Sequence, residues 1–145
     1  NSRDTVEVQL NVMENFDPKI PEAYQDCDFL MLGNTAPAIQ HMVLKRLKTR
    51  PKFVMLDTMN LWIDIAKDDL LKVMKRVNLL VINDSEAKML AEDFNIIRAA
   101  KKVMEMGPKY LIIKKVPLLN GTFLFILLLN PTRHIFGTCQ GMMLQ

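Results

Sequence analysis

The sequence predicts an α/β domain with three layers, a mostly parallel sheet with helices on both faces, and three observations carry that prediction. Four short apolar quartets stand out: Phe29-Leu30-Met31-Leu32, Phe53-Val54-Met55-Leu56, Leu79-Leu80-Val81-Ile82 and Tyr110-Leu111-Ile112-Ile113. Near-continuous apolar runs of this length, bounded by polar turns, read as strands buried on both faces. The stretches between them carry apolar residues at helical spacing, and each is long enough for the crossover that parallel neighbours require.

Taken in order, Val6, Val8, Leu10 and Val12 alternate with Thr5, Glu7, Gln9 and Asn11. That is the period of a half-exposed strand, either at the edge of the main sheet or in a small separate β layer. Residues 15–24, with Pro18 and Pro21, read as a loop. After Asn34-Thr35-Ala36-Pro37, the residues Ile39, Met42, Val43 and Leu47 line one helical face. Lys67-Asp68-Asp69 suits a helix start, and Leu70, Leu71, Met74 and Val77 follow on one face. A further helix holds Ile96, Ala99, Ala100 and Val103 and stops at Gly107-Pro108. One more strand fits residues 122–129, and no periodicity is visible beyond Asn130-Pro131.

A chain of 145 residues has room for one domain with a real core, and half its residues are apolar. The net charge of +3 is small and scattered, which argues against nucleic acid as a partner. The basic stretch from Lys45 to Lys52 reads as the solvated face and end of a helix. Cys27 and Cys139 have no metal-ligand spacing and read as free thiols. The longest apolar run, Phe123 to Leu129, is far short of the ~20 residues of a membrane-spanning helix. With no leader before Asn1, the expectation is a cytoplasmic protein cut from something longer. Residues 116–145 stand apart, because Arg133 is their single charged residue against 19 Lys and Arg and 16 Asp and Glu in the whole chain. Such a segment is buried, paired with something else, or not the natural continuation. The domain reading is therefore residues 1–115, with 116–145 a divergent apolar extension.

Ligands of open parallel sheets bind beyond the carboxyl ends of the strands. The residues there are Gly33-Asn34, Asp57-Thr58-Met59-Asn60, Asn83-Asp84-Ser85-Glu86 and Lys114-Lys115. Gathered on one edge, these amides, carboxylates and amines suit a phosphorylated ligand with Mg²⁺, a cation that takes oxygen ligands and retains water. Asn83 followed three residues later by Glu86 also has the pattern of a capping box, and the two roles are compatible. His41, His134 and Trp62 read as structural, as do the 11 methionines.

The segment Leu79 to Glu86, an apolar strand entering Asn-x-x-Glu, resembles the magnesium and phosphate motif of PfkB/ribokinase-like carbohydrate kinases. Leu32-Gly33-Asn34 with Pro37, Leu56-Asp57-Thr58-Met59-Asn60 with Trp62-Ile63, and Ala99-Ala100-Lys101-Lys102 leading to Gly107-Pro108-Lys109-Tyr110 and Ile113-Lys114-Lys115 reinforce it. The resemblance covers about residues 5–115. It implies an incomplete, Rossmann-like sheet of the ribokinase type and ATP-dependent phosphoryl transfer to a hydroxyl of a sugar or similar small molecule. By that resemblance, Asn83 and Glu86 act through Mg²⁺, Lys114 and Lys115 lie near ATP, and Asp57 or Asn60 lies near the phosphate-transfer crevice.

The family's downstream Gly-Ala-Gly-Asp motif, whose Asp is the catalytic base, does not occur here. Gly137-Thr138-Cys139-Gln140-Gly141 holds no acid, and Val116-Pro117 stands where a glycine is expected after Lys115. No catalytic residue is assigned, and this polypeptide is expected to be inactive in transfer. The competing readings are a non-catalytic scaffold or interaction fragment with at most weak nucleotide binding, and an unrelated doubly wound domain whose Asn83 to Glu86 segment is a helix cap. An open strand edge makes a homo-oligomer a further expectation.

Overall fold

The computed structural model describes the backbone of residues 16–118 and 122–129 and the side chains of residues 16–114. The alternating segment at residues 5–13 lies outside the described residues. Residues 16–21 are irregular and lead into one 3-10 turn, Glu22–Tyr24. The elements that follow are β1 (Phe29–Leu32), α1 (Pro37–Arg46), β2 (Phe53–Asp57), α2 (Asn60–Ile65), α3 (Lys67–Met74), β3 (Leu79–Asn83), α4 (Asp84–Ala91), α5 (Ile96–Glu105), β4 (Tyr110–Leu118) and β5 (Thr122–Leu129).

Each apolar quartet begins a strand, and the strands lie in sequence order, β1-β2-β3-β4-β5. The first four are parallel, and β5 returns antiparallel to β4. The β4–β5 register shifts between Lys115 and Leu118, the stretch that contains Pro117, whose missing N–H cannot join a ladder. The mostly parallel α/β sheet is as the sequence predicts.

The quartets are not buried on both faces, however. Leu32, Val54, Leu56, Leu80, Ile82, Leu111 and Ile113 form a single core with apolar residues of all five helices. Their alternates are covered less: Phe29 is 75% exposed and Met31 61%, while Phe53, Met55, Leu79, Val81, Tyr110 and Ile112 are half-buried. The physical reason is the strand order, since successive right-handed crossovers between sequential neighbours carry every helix to the same side of the sheet. The described helices thus supply one of the two expected helical layers. On the open face the rings of Phe53 and Tyr110 stack, with centroids 6.2 Å apart.

Local chemistry sets the helix boundaries. Pro37 occupies the first turn of α1, where its missing N–H costs nothing. Asp68 and Asp69 open α3, and the Asn95 side chain caps α5 by accepting from the N–H groups of Ile97 and Arg98. Gly107 lies within the α5 to β4 turn at φ +139°, where a Cβ would stand 2.7 Å from the Lys75 Cα. The basic stretch after α1 is surface, as expected: Arg46 pairs with Asp17 at 2.6 Å, Lys48 with Glu22 at 2.9 Å and Lys52 with Asp28 at 2.8 Å. No described helix is long and apolar enough to cross a membrane.

Candidate functional site

Parallel strands bring their carboxyl ends to one edge, and the register decides which polar residues meet there. Asp57 pairs with Val81, and Asn83 pairs with Lys114. Side chains alternate along a strand, so Asp57, Asn83 and Lys114 project from the open face, on the side opposite the helices. The Lys114 Nζ lies 3.8 Å from the Asp57 Oδ1, reaching across the end of β3.

Asn83 closes β3 and caps α4. Its Oδ1 accepts from the Glu86 N–H at 2.9 Å and from the Ser85 hydroxyl at 2.6 Å. The Glu86 Oε2 in turn accepts from the Asn83 N–H at 2.8 Å, completing the capping box. This arrangement pins a carboxylate in a nearly closed position, 7% exposed. Burial pushes the Glu86 carboxyl above its ordinary range. The Asn83 N–H and the Lys114 charge pull it back, and the Asp57 charge adds to the rise. Among the described residues, Glu86 Oε1 makes no hydrogen bond.

The structure therefore brings Asp57, Asn83, Glu86 and Lys114 together. Asn60 begins α2, three residues beyond Asp57, and its exposed side chain makes no hydrogen bond among the described residues. Lys115 follows in β4 opposite Leu124, and the expectation for its side chain lies outside the described residues. The described residues contain no group of three or more His, Cys, Asp or Glu side chains arranged to hold a metal by themselves. Magnesium at phosphate sites usually takes one or two carboxylates and completes its shell with phosphate oxygens and water, so Glu86 and Asp57 fit it.

One residue that the sequence did not single out joins the strand ends. Gln40 in α1 donates from Nε2 to the carbonyl oxygens of Gly33 at 2.8 Å and Asp57 at 3.3 Å. Thr58 is buried directly behind Asp57, and Leu44 takes the α1 core position that the sequence reading gave to Met42. Trp62, expected as a packing anchor, is buried and donates from Nε1 to the Asn34 Oδ1 at 2.9 Å. His41 lies on α1 away from the strand ends, its imidazole held below the ordinary range by burial and by Lys45, Arg76 and Lys72. Cys27 is a free, half-buried thiol.

No protein-family model matches the chain, and no curated protein matches it in sequence. Solved structures do match. Phosphomethylpyrimidine kinase from Clostridium difficile is 19% identical with a TM-score of 0.57, over 90% of this chain and 58% of the kinase. A putative ribokinase II from E. coli, in complex with ATP and Mg²⁺, is 14% identical with a TM-score of 0.57, over 83% of this chain and 41% of that one. The PfkB protein from a Polaromonas species is 15% identical with a TM-score of 0.55, over 73% and 40% of the two chains. The chain spans about two-fifths to three-fifths of the length of these structures. A mostly parallel sheet in sequential order, with its polar strand ends on one edge, is in this chain the α/β fold of the PfkB-type, ribokinase-like kinases.

Proposed function

We propose that this chain is the nucleotide-facing part of a small-molecule kinase, binding ATP with Mg²⁺ beyond the carboxyl ends of β2, β3 and β4. The observation that carries the reading is Glu86, a buried carboxylate held at a helix N-terminus within electrostatic reach of the Asp57–Lys114 pair. Bound there, magnesium would neutralise phosphate charge and orient the phosphoryl group. Glu86 Oε1 and Asp57 would present oxygens to the cation or to its water. Lys114 would offer a mobile cationic donor to a phosphate oxygen. Asn83 would hold Glu86 in place through the cap.

The acceptor in this reading is a hydroxyl of a sugar or related alcohol, and the setting is cytoplasmic. Phosphoryl transfer also needs a base to take the hydroxyl proton, and residues 116–145 contain no Asp or Glu. The chain therefore binds Mg·ATP without turning it over. Calorimetric titration with ATP, with and without Mg²⁺, tests this. Glu86→Gln is the informative variant, because Gln also completes a capping box while removing the charge. Magnesium-dependent binding that is lost in Glu86→Gln supports the reading, and binding that ignores the substitution refutes it.

A second reading, a scaffold in which Asn83 and Glu86 only cap α4, is favoured by the completeness of the cap, since both of its hydrogen bonds are formed. It predicts no magnesium-dependent nucleotide binding at all.

A further inference from the structure

Gln40 is 1% exposed, on the face of α1 that packs on the sheet. Its amide orientation follows from two acceptors, the carbonyl oxygens of Gly33 and Asp57, which leave room for Nε2 and not for Oε1. Gly33 is the first residue beyond β1, and Asp57 is the last residue of β2. One buried side chain thus joins two strand ends by their backbones at the point where the candidate site begins. The same two loops are joined a second time through Asn34, whose Oδ1 accepts from Trp62 Nε1 and whose Nδ2 lies 3.1 Å from the Met59 sulfur.

The clasp carries a cost. Gln40 Oε1 and the hydroxyl of Thr58, the next residue after Asp57, are both buried without a partner among the described residues. Unpaired buried polar atoms are unfavourable, and an apolar residue at position 40 would fill the same space without one of them. An apolar residue cannot tie the two carbonyls together.

We propose that Gln40 is the positioning residue of this edge: it fixes the β1 and β2 ends relative to each other and so places the Asp57 carboxylate against Lys114. The role in ligand binding rests on the proposed Mg·ATP site, whereas the clasp itself does not. Gln40 touches no ligand in this scheme, because it is enclosed by α1 and the two loops.

The test is Gln40→Met in the full chain, a swap of similar length that keeps packing volume and removes both donors. Hydrogen exchange at the loop-closing amides of Ile39, Trp62 and Ile63, which donate to the carbonyls of Ala36 and Met59, is expected to quicken about tenfold, with the amides of Leu80 and Leu111 unchanged, because local opening is separable from global unfolding. The Mg·ATP dissociation constant is expected to rise about fivefold, as misplacement of a positioned group weakens its contacts. Asn34→Ala, at an exposed residue, opens the second link and is expected to quicken the same amides about threefold, so it decides the matter should Gln40→Met fail to fold. Exchange that rises uniformly along the chain, or loop amides that do not change, overturns the proposal. If the unsubstituted chain does not bind Mg·ATP, the kinase reading fails, while the exchange pattern still decides for or against the clasp.

Discussion

The Lys114 ammonium stands 3.8 Å from the Asp57 carboxylate although their strands, β4 and β2, are separated by β3. Neighbouring strands lie about 4.8 Å apart, so Lys114 must span about 10 Å of sheet edge with help from the Asp57 side chain. Both groups remain partly solvated, and an exposed pair of this kind contributes about 0–1 kcal/mol to stability. Lys114→Met is therefore expected to shift the thermal midpoint by no more than about 3 °C for a chain of this size. The same substitution is expected to weaken Mg·ATP binding about tenfold, through loss of one charge-assisted hydrogen bond. Scanning calorimetry and titration calorimetry read the two effects separately, and a large stability loss with unchanged affinity would reverse the assignment.

The raised Glu86 carboxyl gives a pH signature. A group whose folded pKa lies above its unfolded value stabilises the fold fully below the unfolded pKa, and that contribution is lost as pH rises through the folded one. Glu86→Gln is neutral throughout and keeps the cap. Its stability advantage over the unsubstituted chain is expected to grow as pH is raised from about 4 to about 7. Parallel melting curves by circular dichroism over that range check this, and a constant difference would contradict it.

Asn83 has a structural task whatever the ligand. Asn83→Ala removes the acceptor for the Glu86 and Ser85 donors and is expected to cost about 1 kcal/mol in urea unfolding. Asn83→Ser puts a hydroxyl oxygen in place of the amide Oδ1 as the cap acceptor and is expected to recover most of that loss.

Gly107→Ala meets two obstacles at once, the φ of +139° and a Cβ position 2.7 Å from the Lys75 Cα. The contact is with backbone, which cannot swing aside. A loss of about 1–3 kcal/mol in denaturant unfolding is expected. An unchanged midpoint would mean that the α5 to β4 turn adopts another conformation.

Self-association is the expected behaviour of the open side of the sheet. Among the described residues β1 is an edge strand, and its Phe29 and Met31 face outward. Unpaired edges and uncovered apolar faces recruit other chains. Replacing both residues, Phe29→Lys with Met31→Lys, is expected to reduce the mass seen by sedimentation at high concentration. A monomeric mass that does not vary with concentration in the unsubstituted chain would remove the expectation.

By itself the sequence determined the five described strands, the longer helices and the polar residues that end the parallel ones. Apolar quartets between polar turns admit few other structures, and a capping box is local chemistry, formed by residues three apart. Helix α2 escaped notice because six residues are too few to display a 3.6-residue period. Gln40 escaped because a polar residue on a helix reads as solvent-facing until its acceptors, Gly33 and Asp57, are brought beside it. The tertiary structure alone decided the strand order, and with it which face of each quartet is covered. An apolar run reads the same whether one face or both are buried. The reach of Lys114 to Asp57 has the same origin: 57 and 114 are far apart in sequence, and only the parallel register of three strands makes them neighbours.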